Sequence, residues 1–117
     1  DYNVDSAAKQ IIAAERRHEL LQRELAQASD TAKADMAQSQ LQIKAAELQI
    51  GASAEVAKLY EMQFKVGRRS LIELVNAYGE LASVEVSRVL ATSDWRNAVV
   101  NHLHAHAALT DWAQAAR

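Results

Sequence analysis

The sequence contains no cysteine and no proline, and only three of its 117 residues are glycine. Without cysteine there are no disulfide bonds, no thiolate metal ligands and no cysteine nucleophile, and the redox state of the compartment is left open. Without proline, the chain lacks the residue that most strongly interrupts a helix. Aromatic residues are also scarce, at two Trp, three Tyr and one Phe, although half of the residues are apolar. This composition favours closely packed helices over a thick globular core.

The charge is nearly balanced, with a formal net charge of −2 and with basic and acidic residues interleaved. The sequence therefore lacks the basic surface typical of proteins that bind nucleic acid or anionic membranes. No window approaches the roughly 18 to 20 continuous apolar residues of a membrane-spanning helix. Because the chain begins at Asp1 and not at Met, we expect a processed product or a piece of a larger protein.

One short segment separates two long stretches of helical periodicity. Gly67 can adopt the left-handed conformation that ends a helix. Ser70 and Glu73 have the S-x-x-E spacing of a capping box, in which the Ser side chain binds the Glu amide and the Glu side chain binds the Ser amide. The sequence predicts helix 1 over about residues 6–66, a turn at 67–69 and helix 2 over about 70–115, with Asp5 or Ser6 as the first N-cap. A turn this short makes the helices antiparallel, so the whole chain is predicted to be one all-α, coiled-coil-like helical hairpin.

Helix 1 has two apolar rows on nearly opposite faces, each with steps of three and four residues. The first row is interrupted by Glu55 and contains Leu41, Ala45, Leu48, Ala52, Leu59, Met62 and Val66. The second is interrupted by Ser53 and contains Ile43, Ala46, Ile50, Ala57, Tyr60 and Phe64. A hairpin needs only one such row per helix, so the other row predicts a neighbour from another chain or another part of a larger protein. We also expect a change of phase between residues 32 and 41.

In helix 2, one row of mostly apolar residues recurs at alternating steps of three and four residues over most of six heptads. The row contains Leu74, Ala77, Leu81, Val84, Arg88, Ala91, Trp95, Ala98, His102, Ala105, Leu109, Trp112 and Ala116. A second series, offset by one residue along the helix, widens the apolar face beyond this row. It contains Val75, Gly79, Ala82, Val86, Val89, Ser93, Val100, Leu103 and Ala107. Arg88 is expected to reach out to solvent or to form an ion pair, either across the interface or with Glu85 on the same helix.

Nothing in the sequence predicts catalysis, a cofactor or a metal site. His102, His104 and His106 alternate, and on a helix only His102 and His106 share a face, which makes a poor zinc site. His18 is interpreted as a solvated surface residue. The sequence shows no Ser/His/Asp spacing, glycine-rich phosphate loop or isolated carboxylate pair. Gly51 and Gly79 are expected to mark a close approach or a bend.

Residues 63–77, QFKVGRRSLIELVNA, resemble the periplasmic tip of the TolC-like outer membrane channel-tunnel family. The family pattern is, in outline, aromatic-x-x-G-x-x-(S/T)-x-x-(D/E)-x-(L/V)-(D/N)-A. The resemblance continues into the alanine-rich second helix, whereas helix 1 is similar only in length and periodicity. It implies one hairpin of a periplasmic α-barrel built by three protomers, in the outer membrane protein of a Gram-negative bacterium. The implied partners are a periplasmic adaptor protein and, through it, an inner-membrane pump, for type I secretion or efflux.

The resemblance also implies roles for single residues. The adaptor-docking tip would comprise Val66, Gly67, Arg68, Arg69 and Ser70. The entrance would involve Phe64, Arg69, Glu73 and Asn76. Phe64 stands where the family often has Tyr and lacks the hydroxyl for a gate bond, while Asn76 lacks the acidic charge, so an acidic ring would rest on Glu73.

Other interpretations of the same residues remain open. The capping box already accounts for Glu73, and arginines in a turn are commonly solvated. The chain as a whole is also compatible with a structural or scaffolding coiled-coil hairpin, such as an adaptor protein's own hairpin, without any conduit. The spacing of Gly67, Ser70, Glu73 and Asn76 favours the channel, because a generic hairpin does not need it.

Overall fold

The computed structural model describes residues 1–115, which form two helices joined by one short turn. Helix α1 is Tyr2–Lys65 and helix α2 is Leu71–Ala115. Interhelical contacts pair Glu61 with Tyr78 near the turn, and Ser29 with His102 elsewhere. Trp112 of α2 contacts His18 of α1 and His102 contacts Ser29, so residue numbers fall along α2 as they rise along α1 and the helices are antiparallel there. The prediction of an all-α helical hairpin is confirmed.

Contacts divide the chain into two units, which are described separately below. The turn unit is Asp35–Asn97, and the terminal unit combines Asp1–Ala34 with the chain from Ala98 onward. Neither helix, over the residues that the structure describes, is long and apolar enough to cross a membrane.

The helix boundaries match the predictions at the turn and differ at the start of the chain. α1 begins at Tyr2, four residues before the predicted start. The amide of Asp5 donates to the carbonyl of Asp1 at 3.1 Å, so Asp1 holds the N-cap position and the prediction of Asp5 or Ser6 was wrong. Asp5 lies instead in the first turn, where its negative charge faces the positive end of the helix dipole.

The predicted row on α2 forms the contact with α1. Its buried members are Ala77, Val84, Ala91, Ala98 and Ala105. Half-buried members alternate with them at Leu74, Leu81, Trp95, His102, Leu109 and Trp112. Among the described members of the row, Arg88 alone is exposed. This agrees with the prediction that its side chain reaches out to solvent. Ala116, the last predicted member, lies outside the described residues.

On α1, the residues that face α2 form one row, the inward row, with uninterrupted steps of three and four residues from Leu25 to Tyr60. It contains Leu25, Ser29, Ala32, Met36, Ser39, Ile43, Ala46, Ile50, Ser53, Ala57 and Tyr60, all buried or half-buried. The expected phase change between residues 32 and 41 was therefore wrong. Serines at inward positions concealed the row in the sequence, while exposed Leu41 suggested a different one.

The contact between the helices, which we call the seam, is built from small side chains. Alanine dominates the buried apolar residues, and the buried polar residues are Ser29 and Ser39. No large side chain is fully buried in the described part of the chain. Small residues let two helices approach closely, but each removes little apolar surface from water, at about 25 cal/mol per Å².

The remaining apolar rows face solvent. Leu41, Leu48, Leu59 and Met62 on α1 are exposed, with Leu48 reaching 78%. On α2, the offset series is exposed too, at Val75, Val86, Val89, Val100 and Leu103. It therefore widens the apolar face of α2 beyond the surface that contacts α1. We call these two sets the outer rows.

The two helical glycines have no close neighbour within the described chain. A Cβ atom built on Gly51 or Gly79 would meet nothing within 4 Å. The expected close approach at these positions is therefore absent between α1 and α2. Each glycine costs the isolated helix about 1 kcal/mol relative to alanine.

Enlarging a buried seam alanine should destabilise the hairpin. Ala57 is 1% exposed, so Ala57→Leu forces the helices apart and should lower the free energy of unfolding by about 1–3 kcal/mol. Urea denaturation followed by circular dichroism measures this change. Ala54→Leu, at an exposed position one turn away, is the control and should change stability little. Equal effects of the two substitutions would contradict the small-residue seam.

Candidate functional site at the turn

The backbone of the turn closes α1 with a Schellman motif. The amide of Arg68 donates to the carbonyl of Gln63 at 2.8 Å, and the amide of Gly67 donates to that of Phe64 at 3.0 Å. Gly67 has φ of 77°, in the left-handed region that favours glycine. Since nothing lies within 4 Å of a Cβ atom built there, glycine is required by backbone conformation and not by space. The prediction for Gly67 is confirmed.

Ser70 caps α2, although only half of the expected capping box forms. The amide of Glu73 donates to Ser70 Oγ at 3.1 Å, and the amide of Leu74 donates to the Ser70 carbonyl at 3.1 Å. The Glu73 carboxylate does not reach back to the Ser70 amide. It accepts instead from the Ser70 hydroxyl at 3.0 Å. The carboxylate is consequently free to accept a second partner.

That second partner is Arg69, which ties the two helix ends together. Arg69 Nη1 donates to Glu73 Oε2 at 2.6 Å, while Nε and Nη2 both donate to Gln63 Oε1, at 2.9 and 2.6 Å. The guanidinium carbon also lies 3.8 Å from the centre of the Tyr60 ring, a cation–π contact. We call this set of contacts the Arg69 latch. Only 26% of the Arg69 side chain is exposed, so the expectation that it is simply solvated was wrong.

The Arg69 latch shifts the acid–base properties of its members. The hydrogen bond from Arg69, followed by that from Ser70, lowers the pKa of Glu73 below its ordinary value of 4.5. The hydrogen bond to Glu73 raises the pKa of Arg69 in return. Both shifts favour the charged forms, so the ion pair persists at neutral pH.

The tip beyond the latch is open to solvent and partly apolar. Val66 is 69% exposed, and Gly67, Arg68 and Ser70 are exposed as well. Leu71 and Ile72 add two exposed apolar side chains at the start of α2. Of the five predicted tip residues, Arg69 alone turns into the hairpin. The tip therefore presents a basic Arg68 within a small apolar surface.

The predicted entrance residues are only partly brought together. Glu73 and Arg69 are in contact, as described above. Phe64 is 40% exposed, on the last turn of α1. Asn76 is exposed on α2, one turn beyond Glu73.

One further interhelical bond lies close to the turn. Tyr78 Oη donates to Glu61 Oε2 at 2.7 Å, and this bond raises the pKa of Tyr78. Lys65 also lies 3.8 Å from Glu61. The Tyr78–Glu61 bond is not predictable from the sequence, because nothing in the periodicity of either helix pairs residues across the turn.

The histidines of the terminal unit make specific contacts. His102 and His106 share a face, as predicted, with ring centroids 6.2 Å apart. His102 Nδ1 lies 3.3 Å from Ser29 Oγ. His18 is exposed but is not merely solvated, since Trp112 Nε1 donates to His18 Nδ1 at 3.0 Å. Among residues 1–115, no group of three or more His, Cys, Asp or Glu side chains is placed to hold a metal ion.

Acidification should weaken the turn through Glu73. Because the pKa of Glu73 is lowered in the folded chain, its contribution to stability is present above its ordinary value of 4.5 and is lost as pH falls through the lower folded value. Glu73→Gln should therefore destabilise the hairpin at pH 7 more than at pH 3. Urea midpoints at the two pH values measure the difference. Glu80→Gln removes another exposed carboxylate of α2 and is the control; the same pH dependence for both variants would contradict the Arg69 latch.

Comparison of the chain with protein-family models, with curated proteins and with solved structures finds no match. The assignment of a function therefore depends on the residues and geometry of the hairpin, of which the turn and the outer rows are the most specific.

Proposed function

We propose that this hairpin belongs to a trimeric outer membrane export channel of the TolC-like type. In this role its helices line a periplasmic conduit, and its turn docks a periplasmic adaptor protein that connects the channel to an inner-membrane pump. The proposal covers type I secretion and efflux alike, since both use the same docking motif. It places the chain in the periplasmic portion of an outer membrane protein of a Gram-negative bacterium.

The observation that carries the proposal is the geometry of the turn. The Schellman motif at Gly67 and the Ser70 cap fix the path of the backbone on both sides of Arg68. The Arg69 latch then joins α1 to α2 directly behind the tip. Val66, Arg68 and Ile72 are left on a surface whose shape is set before any partner arrives. Preformed surfaces lose less conformational entropy on binding.

Two features of the helices support an assembly around the hairpin. The outer rows expose more large apolar side chains than the seam buries, which is typical of surfaces that contact another protein. Gly79 belongs to the outer row of α2, and a Cβ atom built on it would meet nothing within 4 Å among the described residues. A helix of a neighbouring protomer could approach closely at that position, which accounts for a glycine that the hairpin alone does not need.

The latch leaves Arg69 only a limited capacity for the entrance role. Its three nitrogens each donate one hydrogen bond, to Gln63 or to Glu73, within one hairpin. A guanidinium has five N–H donors, so one N–H on Nη1 and one on Nη2 stay available to a neighbouring hairpin, although the latch already fixes the side chain in place. We therefore assign Arg69 first to shaping the tip, and Glu73 and Asn76 to the mouth of the conduit.

Binding of an adaptor at the turn tests the proposal. The probe is the soluble helical hairpin of a periplasmic adaptor from the same organism, and calorimetry measures its affinity. Gly67→Ala strains the left-handed position by about 1 kcal/mol, which distorts the docking surface and should weaken binding about fivefold. Arg68→Glu reverses the exposed charge and should weaken binding about tenfold. Both variants should stay helical by circular dichroism.

The matched control for charge is Lys58→Glu, an exposed position on α1 away from the turn. It should leave the affinity unchanged. No binding by the unmodified chain, or equal affinities for all variants, would contradict docking at the tip and leave a coiled-coil scaffold as the better explanation.

The outer rows should also make the isolated chain self-associate. Sedimentation equilibrium at several concentrations should show species larger than a monomer, because exposed apolar rows bury one another. Leu48→Glu combined with Leu59→Glu should shift the equilibrium toward monomer. Gln42→Glu combined with Gln49→Glu adds the same charge to α1 outside the outer row and is the control. A monomer at every concentration would show that the outer rows are not interfaces by themselves.

A further inference from the structure

The terminal unit contains a cleft that the export role does not use. It lies between the helices, has a volume of about 480 Å³, and is lined by Glu15, His18 and Glu19 of α1 and by Trp112 and Ala115 of α2. This volume falls within the range of about 300–1,000 Å³ that is usual for small-molecule sites. Among the described residues, the lining combines aromatic rings with carboxylates and includes no lysine or arginine.

The aromatic wall of the cleft is held in place by a hydrogen bond. Trp112 Nε1 donates to His18 Nδ1 at 3.0 Å, and the two ring centroids are 6.3 Å apart with the planes tilted by 46°. An indole can only donate, so His18 Nδ1 is the unprotonated nitrogen in this bond. The bond fixes two rings at an angle to each other and leaves an indole surface beside the cleft.

The acidic side of the cleft follows from helical spacing. Glu15 and Glu19 are four residues apart and therefore lie one turn apart on the same face of α1, together with His18. Within residues 1–115, the ion pairs are Lys65–Glu61 and Arg69–Glu73, so neither Glu15 nor Glu19 has a basic partner there. Two like charges at this spacing disfavour an isolated helix slightly. A bound cation would relieve that repulsion.

The chemistry of the lining selects among cations. These side chains are not placed to hold a metal ion in the part of the chain that the structure describes. An indole face attracts a cation through its quadrupole, most strongly for weakly hydrated organic ammonium groups. Carboxylates beside that face add charge attraction, while Ala115 and the ring surfaces contact apolar parts of the ligand. The cleft thus combines the two features that recognise an aromatic or alkyl ammonium compound.

We propose that the cleft between α1 and α2 at Glu15, His18, Glu19 and Trp112 binds small organic cations. The ammonium group lies against the Trp112 ring and between the two carboxylates. This proposal is independent of the export role, since the cleft is in the terminal unit and the candidate docking residues are in the turn unit.

Nuclear magnetic resonance titration of the full chain with benzyltrimethylammonium tests the proposal. We expect saturable shifts at residues 15–19 and 112, and much weaker binding of uncharged benzyl alcohol. Glu15→Gln combined with Glu19→Gln should weaken binding of the cation about fivefold, because two partly screened charge contacts are lost. Trp112→Leu should weaken it about threefold, whereas Trp112→Phe keeps an aromatic face and should retain most of the affinity.

The control is Glu47→Gln combined with Glu55→Gln, which removes the same charge from exposed positions of α1 in the turn unit. It should leave the affinity unchanged. Equal weakening by the two double variants would show a nonspecific effect of net charge and would overturn the proposal, as would equal binding of benzyl alcohol. The two proposals can fail separately. Cation binding without adaptor docking would contradict the export role alone, and adaptor docking without cation binding would contradict this proposal alone.

Discussion

The seam between α1 and α2 is the constraint on which the rest of the structure depends. Its buried positions are filled almost entirely by alanine and serine, so the helices lie close together but bury little apolar surface per turn. A larger side chain would add burial only by separating the helices. The alignment of the two helices must therefore be set by other features. These are the capped turn, the polar bonds between the helices, and any protein that covers the outer rows.

Polar bonds give the seam its register. Ser29 with His102, and Glu61 with Tyr78, each join specific residues of the two helices. A shift of one helix along the other would break them, whereas a row of alanines alone would tolerate it. The seam also carries a cost, since the indole N–H of Trp95 is buried without an acceptor among the described residues, a penalty of about 1–3 kcal/mol. Specific alignment is thus obtained with little net stabilisation, because each hydrogen bond replaces bonds to water and contributes only about 0.5–1.5 kcal/mol.

The sequence predicted the parts of this structure that depend on local rules. Gly67 and Ser70 marked the turn because helix ends need a left-handed residue and a side-chain cap, and the inward row of α2 was visible because its apolar period is nearly unbroken. The row on α1 was misassigned where Ser29 and Ser39 replace apolar residues. The Arg69 latch and the Trp112–His18 bond depend on side chains that meet only after folding, the latter across 94 positions of the chain. Periodicity contains no signal for such pairs.

The Arg69 latch and the outer rows differ in what completes them. Three of the five N–H groups of the guanidinium are bound within the hairpin, so the latch orders the tip without any partner. The outer rows have no such partner among the described residues, where large side chains such as Leu48 and Val89 are exposed. In the proposed channel, we therefore expect the hairpins to associate side by side first and to bind an adaptor through their tips afterwards. A docking partner that spans several hairpins has no complete surface to bind until the hairpins stand together.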